Sequence, residues 1–281
     1  MRGMRSAGRK KNTNMSRAIK ALLVLMILGG GLGSAGIPAG IGRPTDNDLN
    51  ALIDKITGRI SSYPELKYWN ASVTSVLTEM EKTWKPKKVT RVFKTVRIAD
   101  KERSEEILRA EETENGVVKD VTAKLVKEAE EGRRKAKKSD KEAGETRGDE
   151  DQERGRRSLD SDDLLPFSEI NRPQYAFTRL EDGLLDGRPV YVLQSQAKIK
   201  SERLWEGRYF IGQDGHDVLK VALTLSKNPK FVKEFTVEVE FQVLTSGHFV
   251  VKRSRTKVDA GMVLKHVRMV IEEEYTDYEI T

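Results

Sequence analysis

The sequence predicts a mainly β protein of the α+β class. We expect a curled antiparallel sheet, or an incomplete β-barrel, with an N-terminal amphipathic helix and a small helical lid. The prediction rests on alternating apolar and polar residues that recur along the chain, on turn sequences between these segments, and on a single clear amphipathic helix. One or two short helices cannot cover about eight or nine long strands laid flat, so the sheet must curl over its own apolar face.

The amphipathic helix is predicted over 48–61. Its apolar residues recur at three- and four-residue intervals, which places them on one stripe of a helix. They are Leu49, Leu52, Ile53, Ile56 and Ile60. Helical spacing of Val118, Val121 and Leu125 predicts a second, shorter helix over 117–126.

Strands are predicted in two groups that flank a highly charged stretch. The first group comprises 69–78, 89–98 and 103–111, and the second comprises 175–180, 190–199, 209–213, 218–225, 235–243, 249–258 and 263–273. Asn115-Gly116 is typical of a type I′ hairpin turn. Strict alternation within 235–243 predicts that Glu238 and Glu240 lie on a solvent-exposed face.

The charged stretch, 127–163, is predicted to be a disordered insertion with at most a short helical start. Of its 37 residues, 24 are charged and none is aromatic, so it cannot bury enough apolar surface to offset the entropy of ordering. This gives five segments: an export signal at 1–35, a flexible tether at 36–44, the N-terminal helix and first strands at 45–126, the insertion, and the remaining strands of the same domain at 164–281.

The formal net charge of +7 belongs to the N-terminus. Residues 1–35 contain seven basic residues and no acidic one, which leaves 44 basic and 44 acidic residues in the rest of the chain. The overall basic balance therefore does not indicate a nucleic-acid partner.

A basic leader, the apolar run 21–28 and a small-residue segment follow one another, the order of a secretory signal peptide. We expect cleavage after Ala35 and a periplasmic mature protein. The alternative is an uncleaved anchor, although the apolar run is about half the ~20 residues that a spanning helix needs.

Composition argues against several functional classes. The chain has no cysteine, and its three histidines lie far apart, so neither a thiolate nor a zinc site is expected. It has no G-x-S-x-G elbow, no phosphate-binding glycine loop and no H-E-x-x-H motif. We therefore expect no catalytic residues, no metal and no cofactor.

A curled sheet closed by a helical lid encloses an apolar concavity suited to an acyl chain. The predicted lining residues are large apolar side chains from most of the strands. They are Trp69, Val73, Leu77, Phe93, Tyr175, Phe177, Tyr191, Leu193, Tyr209, Ile211, Val239 and Phe241. The alternative is that these residues form an ordinary packed core.

Three segments resemble the outer-membrane lipoprotein-sorting family of periplasmic carriers. Trp205-Glu206-Gly207-Arg208-Tyr209-Phe210-Ile211-Gly212-Gln213-Asp214 is similar to the aromatic–Gly–x–x–aromatic–Ile–Asp strand and turn of that family, and Asn228-Pro229-Lys230-Phe231-Val232-Lys233 and Tyr275-Thr276-Asp277-Tyr278 also fit. The resemblance covers most of 46–126 and 165–281.

The resemblance implies a monomeric carrier, not an enzyme, whose cavity receives an acyl chain or a lipoprotein. It also implies membrane-bound partners that load the carrier and receive its cargo. The same fold occurs in lipid-sensing regulators of envelope stress, so the alternative is a structural or regulatory envelope module.

Overall fold

The computed structural model describes residues 46–99, 102–143, 164–262 and 265–281. The predicted signal peptide 1–35 and tether 36–44 lie outside these ranges. By its internal contacts the chain divides into two units, of which the larger contains the described residues within 46–130 and 164–281. In the second unit the described residues are 131–143, which are helical.

The described residues form two α-helices and twelve strands. Helix α1 is Asp46–Ser61 and helix α2 is Thr122–Ala143. The strands are β1 (Tyr68–Met80), β2 (Pro86–Ala99), β3 (Glu102–Glu114), β4 (Val117–Asp120), β5 (Tyr175–Arg179), β6 (Gly183–Leu185), β7 (Arg188–Ala197), β8 (Trp205–Gly212), β9 (Val218–Leu225), β10 (Val232–Val243), β11 (Phe249–Met262) and β12 (Lys265–Ile280).

All twelve strands belong to one antiparallel sheet. Its order is β4-β3-β2-β1-β12-β11-β10-β9-β8-β7-β5, and β6 pairs with β7. Because β1 pairs with β12, strands from both sides of the charged stretch share the sheet. Among the described strands the edge strands β4 and β5 do not pair with each other, so the sheet is open. The predicted fold class, mainly β with an N-terminal amphipathic helix, is confirmed.

In every central strand, alternate residues (one parity of the strand) lie on the same face of the sheet, which we call the inner face. Residues opposite each other in an antiparallel ladder point to the same side of the sheet. One such row crosses nine strands, from β7 to β3. It consists of Leu193, Tyr209, Val221, Val239, Ser254, Glu273, Ser75, Val92 and Ala110. All of these except Val92 are buried.

The opposite, outer face carries cross-strand ion pairs. Examples are Arg255 with Glu272 at 3.4 Å and Lys220 with Glu238 at 2.5 Å. Glu238 and Glu240 alternate with Val239 and therefore lie on the outer face. The prediction that Glu238 is solvent-exposed is nevertheless wrong, because its exposed fraction is 8%. Lys220 contacts both carboxylates, which compensates for the burial of the charge.

The prediction of a disordered 127–163 is wrong for 127–143, which continue helix α2. Alanine, lysine, arginine and glutamate favour helices, and pairs such as Glu130 and Arg134 stand four residues apart. The predicted helix start is also corrected, because Val117–Asp120 is strand β4 and the helix begins at Thr122. Residues 144–163 lie outside the described ranges.

Gly207 in β8 has a backbone conformation that requires glycine. Its φ is +151°, and a Cβ there would lie 2.2 Å from the Ala222 carbonyl oxygen and 2.9 Å from the Leu223 Cα. Both atoms belong to the backbone of the neighbouring strand β9, so they cannot move aside without disrupting the pairing. This is the glycine of the aromatic–Gly–x–x–aromatic segment.

We therefore expect Gly207→Ala to lower the free energy of unfolding by about 3 kcal/mol or more. Gly58→Ala is the matched control, because Gly58 is exposed on helix α1 with nothing within 4 Å of the added Cβ. Gly58→Ala should raise stability by about 0.5–1 kcal/mol. Chemical denaturation of the two variants measures both changes, and equal effects would contradict the steric argument.

Candidate functional site

Helix α1 packs its apolar stripe against one half of the inner face. Ile53 and Ile56 are buried. The Thr57 hydroxyl donates a hydrogen bond of 2.9 Å to the Phe167 carbonyl. The Phe167 ring meets the Tyr209 ring edge-on at 5.0 Å between centroids and stacks on Phe177 at 5.6 Å. The helix and the segment around Phe167 therefore cover the inner face around β5 and β8.

Polar contacts hold helix α1 near both of its ends. At the C-terminal end, Arg59 and the Tyr63 hydroxyl each donate to the Asp217 carboxylate at 2.5 Å. Burial and the Asp217 carboxylate raise the pKa of Tyr63 far above its ordinary value, so Tyr63 stays a neutral donor. At the N-terminal half, Arg172 donates to Asp54 at 2.6 Å and to Asn50 at 2.9 Å.

A cleft of about 480 Å³ opens beside the N-terminal half of helix α1. This volume lies within the usual range for small-molecule sites. Its walls combine apolar and aromatic side chains with two cationic ones. The lining residues are Leu49, Asn50, Ile53, Arg172, Pro173, Tyr175, Phe177 and Lys198. The Lys198 ammonium donates to the Pro173 carbonyl at 2.8 Å, which fixes its position at the edge of the cleft.

Eleven of the twelve predicted lining residues share the inner face in register. Tyr175 and Phe177 line the cleft itself. The others on this face are Trp69, Val73, Leu77, Tyr191, Leu193, Tyr209, Ile211, Val239 and Phe241. Phe93 lies on the outer face, opposite Thr74, and so does not join the set. Leu193, Tyr209, Ile211 and Val239 have no exposed surface.

The other half of the inner face carries a buried ion network. The Lys94 ammonium lies 3.0 Å from a Glu273 oxygen and 3.1 Å from a Glu105 oxygen. Arg103 donates two hydrogen bonds to the other Glu105 oxygen, at 3.0 and 2.7 Å. The Tyr275 hydroxyl donates to the second Glu273 oxygen at 3.0 Å. The side chains of Lys94 and Glu273 are 4% and 1% exposed, so both charges depend on this network.

The network controls the protonation of its members. Burial by itself opposes ionisation of Glu105, but Lys94 and Arg103 outweigh it and hold the pKa of this carboxyl below its ordinary value. Burial and the neighbouring Glu273 raise the pKa of Tyr275 well above its ordinary value, so its hydroxyl remains a donor.

This network is not among the features predicted from the sequence, although the strands contain a signal for it. Lys94 has the parity of Val92 and Val96 in β2, and Glu273 has that of Ile271 and Tyr275 in β12. A charge on the apolar parity of a strand predicts a buried ion that needs a partner. The partner residues depend on which strands lie side by side in the sheet. Local alternation does not specify that order.

The described ranges contain no group of three or more His, Asp or Glu side chains arranged to hold a metal ion. Within the same ranges, neither helix is both long enough and apolar enough to cross a bilayer.

Neither a family model nor a curated protein sequence matches the chain. Solved structures do resemble it. A DUF1329 family protein from Desulfovibrio piger is 8% identical, with a TM-score of 0.36 over 83% of this chain and 92% of that one. A putative outer membrane lipoprotein-sorting protein domain from Vibrio parahaemolyticus is 9% identical, with a TM-score of 0.34 over 82% of this chain and 92% of that one.

A LolA superfamily protein from Nitrosomonas europaea is 10% identical, with a TM-score of 0.31 over 83% of this chain and 93% of that one. The family that the sequence resembles thus recurs among the similar solved structures.

Replacing Lys94 by methionine tests the buried ion network. The variant leaves the Glu273 and Glu105 carboxylates without their shared cation, and we expect it to lose about 3–5 kcal/mol of unfolding free energy. The double variant Lys94→Met/Glu273→Leu should recover much of this loss, because it removes the unpaired charge as well. Arg253→Met is the control, since Arg253 and its partner Glu274 are both more than half exposed; its loss should stay below about 1 kcal/mol. A double variant less stable than Lys94→Met would contradict the interpretation.

The lowered pKa of Glu105 predicts an acid dependence of stability. The ionised carboxylate stabilises the fold fully above its unfolded-state pKa, near 4.5, and this contribution is lost as pH falls through the lower folded-state pKa. We expect Glu105→Gln to be less stable than the parent at neutral pH and the difference to shrink in acid. Unfolding at a series of pH values measures it, and Glu106→Gln, an exposed position of the same strand, is the control. A difference that stays constant with pH would contradict the assignment.

Proposed function

We propose that the protein is an exported binding protein that holds an acyl chain, free or attached to a lipoprotein, in the cleft beside helix α1. The observation that carries the proposal is the make-up of this cleft. Leu49, Ile53, Tyr175 and Phe177 supply apolar walls, whereas Arg172 and Lys198 place positive charge at its edge. An amphiphile with a hydrocarbon tail and an anionic head is complementary to this arrangement.

The polar head would meet cations that are already positioned. Arg172 is fixed by Asp54 and Asn50, and Lys198 by the Pro173 carbonyl. Cations that are ordered before binding lose little side-chain entropy when a carboxylate or phosphate arrives. The hydrocarbon tail would lie against Tyr175 and Phe177, at the edge of the inner face. This assigns a binding role, not a catalytic one, to the cleft.

Export is proposed from the order of basic, apolar and small residues in 1–35. A periplasmic location after cleavage near Ala35 would suit a diffusible carrier that exchanges cargo with membrane-bound partners. Retention of the leader would instead hold the same domain at the inner membrane. N-terminal sequencing of the protein from its host distinguishes the two.

A second candidate function is a structural or regulatory envelope module with a filled core. It is favoured by the complete burial of Leu193, Tyr209, Ile211 and Val239, which leaves these four side chains no surface for a ligand to contact. Native mass spectrometry of the protein purified from its host separates the two candidates. Co-purified lipid supports the carrier, and its absence together with no uptake of a fluorescent fatty acid supports the module.

Leu49→Glu tests the carrier proposal in the cleft itself. A carboxylate among the apolar walls should weaken binding of a fluorescent fatty acid by about tenfold or more, because the charge must be desolvated beside the tail. Ala51→Glu is the matched control, since Ala51 is an exposed position of the same helix that does not line the cleft. Fluorescence titration measures both affinities. Equal affinities of the two variants would contradict the proposal that the fatty acid binds in this cleft.

A further inference from the structure

Three loops at one end of the sheet form a continuous surface, which we call the basic rim. They are 168–174, which precedes β5, 198–204, between β7 and β8, and 226–231, between β9 and β10. The antiparallel order brings them to the same end, since Tyr175 pairs with Ala197 and Trp205 pairs with Leu225.

Hydrogen bonds join the three loops to one another. The Lys198 amide donates to the Gln174 carbonyl at 2.9 Å, which links the first loop to the second. The second and third are linked by the Ser226 amide and the Leu204 carbonyl at 2.7 Å, and by the Ser201 amide and the Ser226 hydroxyl at 2.9 Å. The rim is therefore one surface of the fold.

Each loop of the rim exposes one large apolar side chain. The exposed fractions are 85% for Ile170, 77% for Ile199 and 49% for Phe231. The same loops contain six basic residues and two acidic ones. The basic residues are Arg172, Lys198, Lys200, Arg203, Lys227 and Lys230, and the acidic ones are Glu169 and Glu202.

The loops at the other end of the sheet have the opposite charge. Segments 62–67, 186–187, 213–217 and 244–248 together contain four acidic residues and one basic residue. Leu184 is 74% exposed near this end, with Glu181, Asp182 and Asp186 close by in sequence. Exposed apolar side chains are thus found at both ends of the sheet, whereas exposed apolar side chains among basic residues are found at the rim.

We propose that the basic rim docks on an anionic lipid bilayer. Lysine and arginine beside exposed isoleucine and phenylalanine are complementary to a surface with anionic headgroups over an apolar layer. The proposal rests on the proposed function and deepens it. Arg172, Pro173 and Lys198 belong to the rim and also line the cleft, so docking would turn the cleft mouth toward the lipid from which an acyl chain is taken or to which it is given.

A single fluorescent label tests the contact directly, because the chain has no cysteine of its own. The full chain carrying Ile199→Cys or Leu184→Cys is labelled with a polarity-sensitive dye and mixed with vesicles of phosphatidylcholine and phosphatidylglycerol. We expect a blue shift of the dye at position 199 and none at 184. The result would overturn the proposal if position 199 does not respond or if position 184 responds equally.

Vesicle binding of charge variants gives an independent measurement. We expect Arg203→Glu/Lys230→Glu to bind these vesicles about tenfold or more weakly than the parent. The control Lys67→Glu, at the other end of the sheet, should change binding less than about twofold. The leader is the same in the parent and in both variants, so a difference in binding between them arises from the substituted residues. Equal weakening by both variants, or equal binding of the parent to vesicles of phosphatidylcholine alone, contradicts the proposal.

Neither Arg203 nor Lys230 lines the cleft, so their double variant should bind a fluorescent fatty acid normally when no vesicles are present. If the proteins bind the fatty acid normally but the dye at position 199 does not respond to vesicles, docking is refuted and the proposed function is not. If none of the proteins binds the fatty acid, the parent included, the proposed function is refuted whatever the dye shows.

Discussion

The register of the twelve-stranded sheet is the constraint on which the other features depend. Each central strand buries side chains of one parity, and the pairing carries that parity from β7 as far as β3. A slip of one residue in any central strand would turn its buried side chains outward and its charged ones inward. Helix α1 can cover this surface because the apolar residues of β5, β7 and β8 stay on one side of the sheet.

The buried ion network makes the same register more specific. Lys94 on β2 reaches Glu273 on β12 across the intervening strand β1, and Glu105 on β3 from the other side. A slip of β2 would carry Lys94 to the outer face and leave two carboxylates on the inner face without their cation. An apolar core would tolerate such a slip more readily, because one aliphatic side chain replaces another at smaller cost. The network therefore penalises misalignment at the place where strands from distant parts of the chain meet.

Local alternation in the sequence predicts the strands and helix α1 well, because both depend on neighbouring residues. It does not predict contacts that depend on which strands pair. In β2, for example, Lys94 shares the parity of Val92 and Val96, but its carboxylate partners follow only from the pairing of β2 with β1 and β3. Glu238 is buried for a similar reason, since Lys220 approaches it from the neighbouring strand β9. Alternation does not predict helix α2 from 127 onward, because its charged residues have high helix propensity but bury little apolar surface.

The cleft and the basic rim share residues, and these residues connect the proposed ligand site with the proposed membrane-docking surface. Arg172 holds helix α1 through Asp54 and Asn50, lines the cleft and belongs to the rim. Lys198 likewise lines the cleft, while its amide joins two loops of the rim. An amphiphile bound with its head beside these cations would lie next to the loops that carry Ile170 and Ile199. A bilayer at that surface would shorten the path of the hydrocarbon tail through water, which is the step with the largest hydrophobic cost.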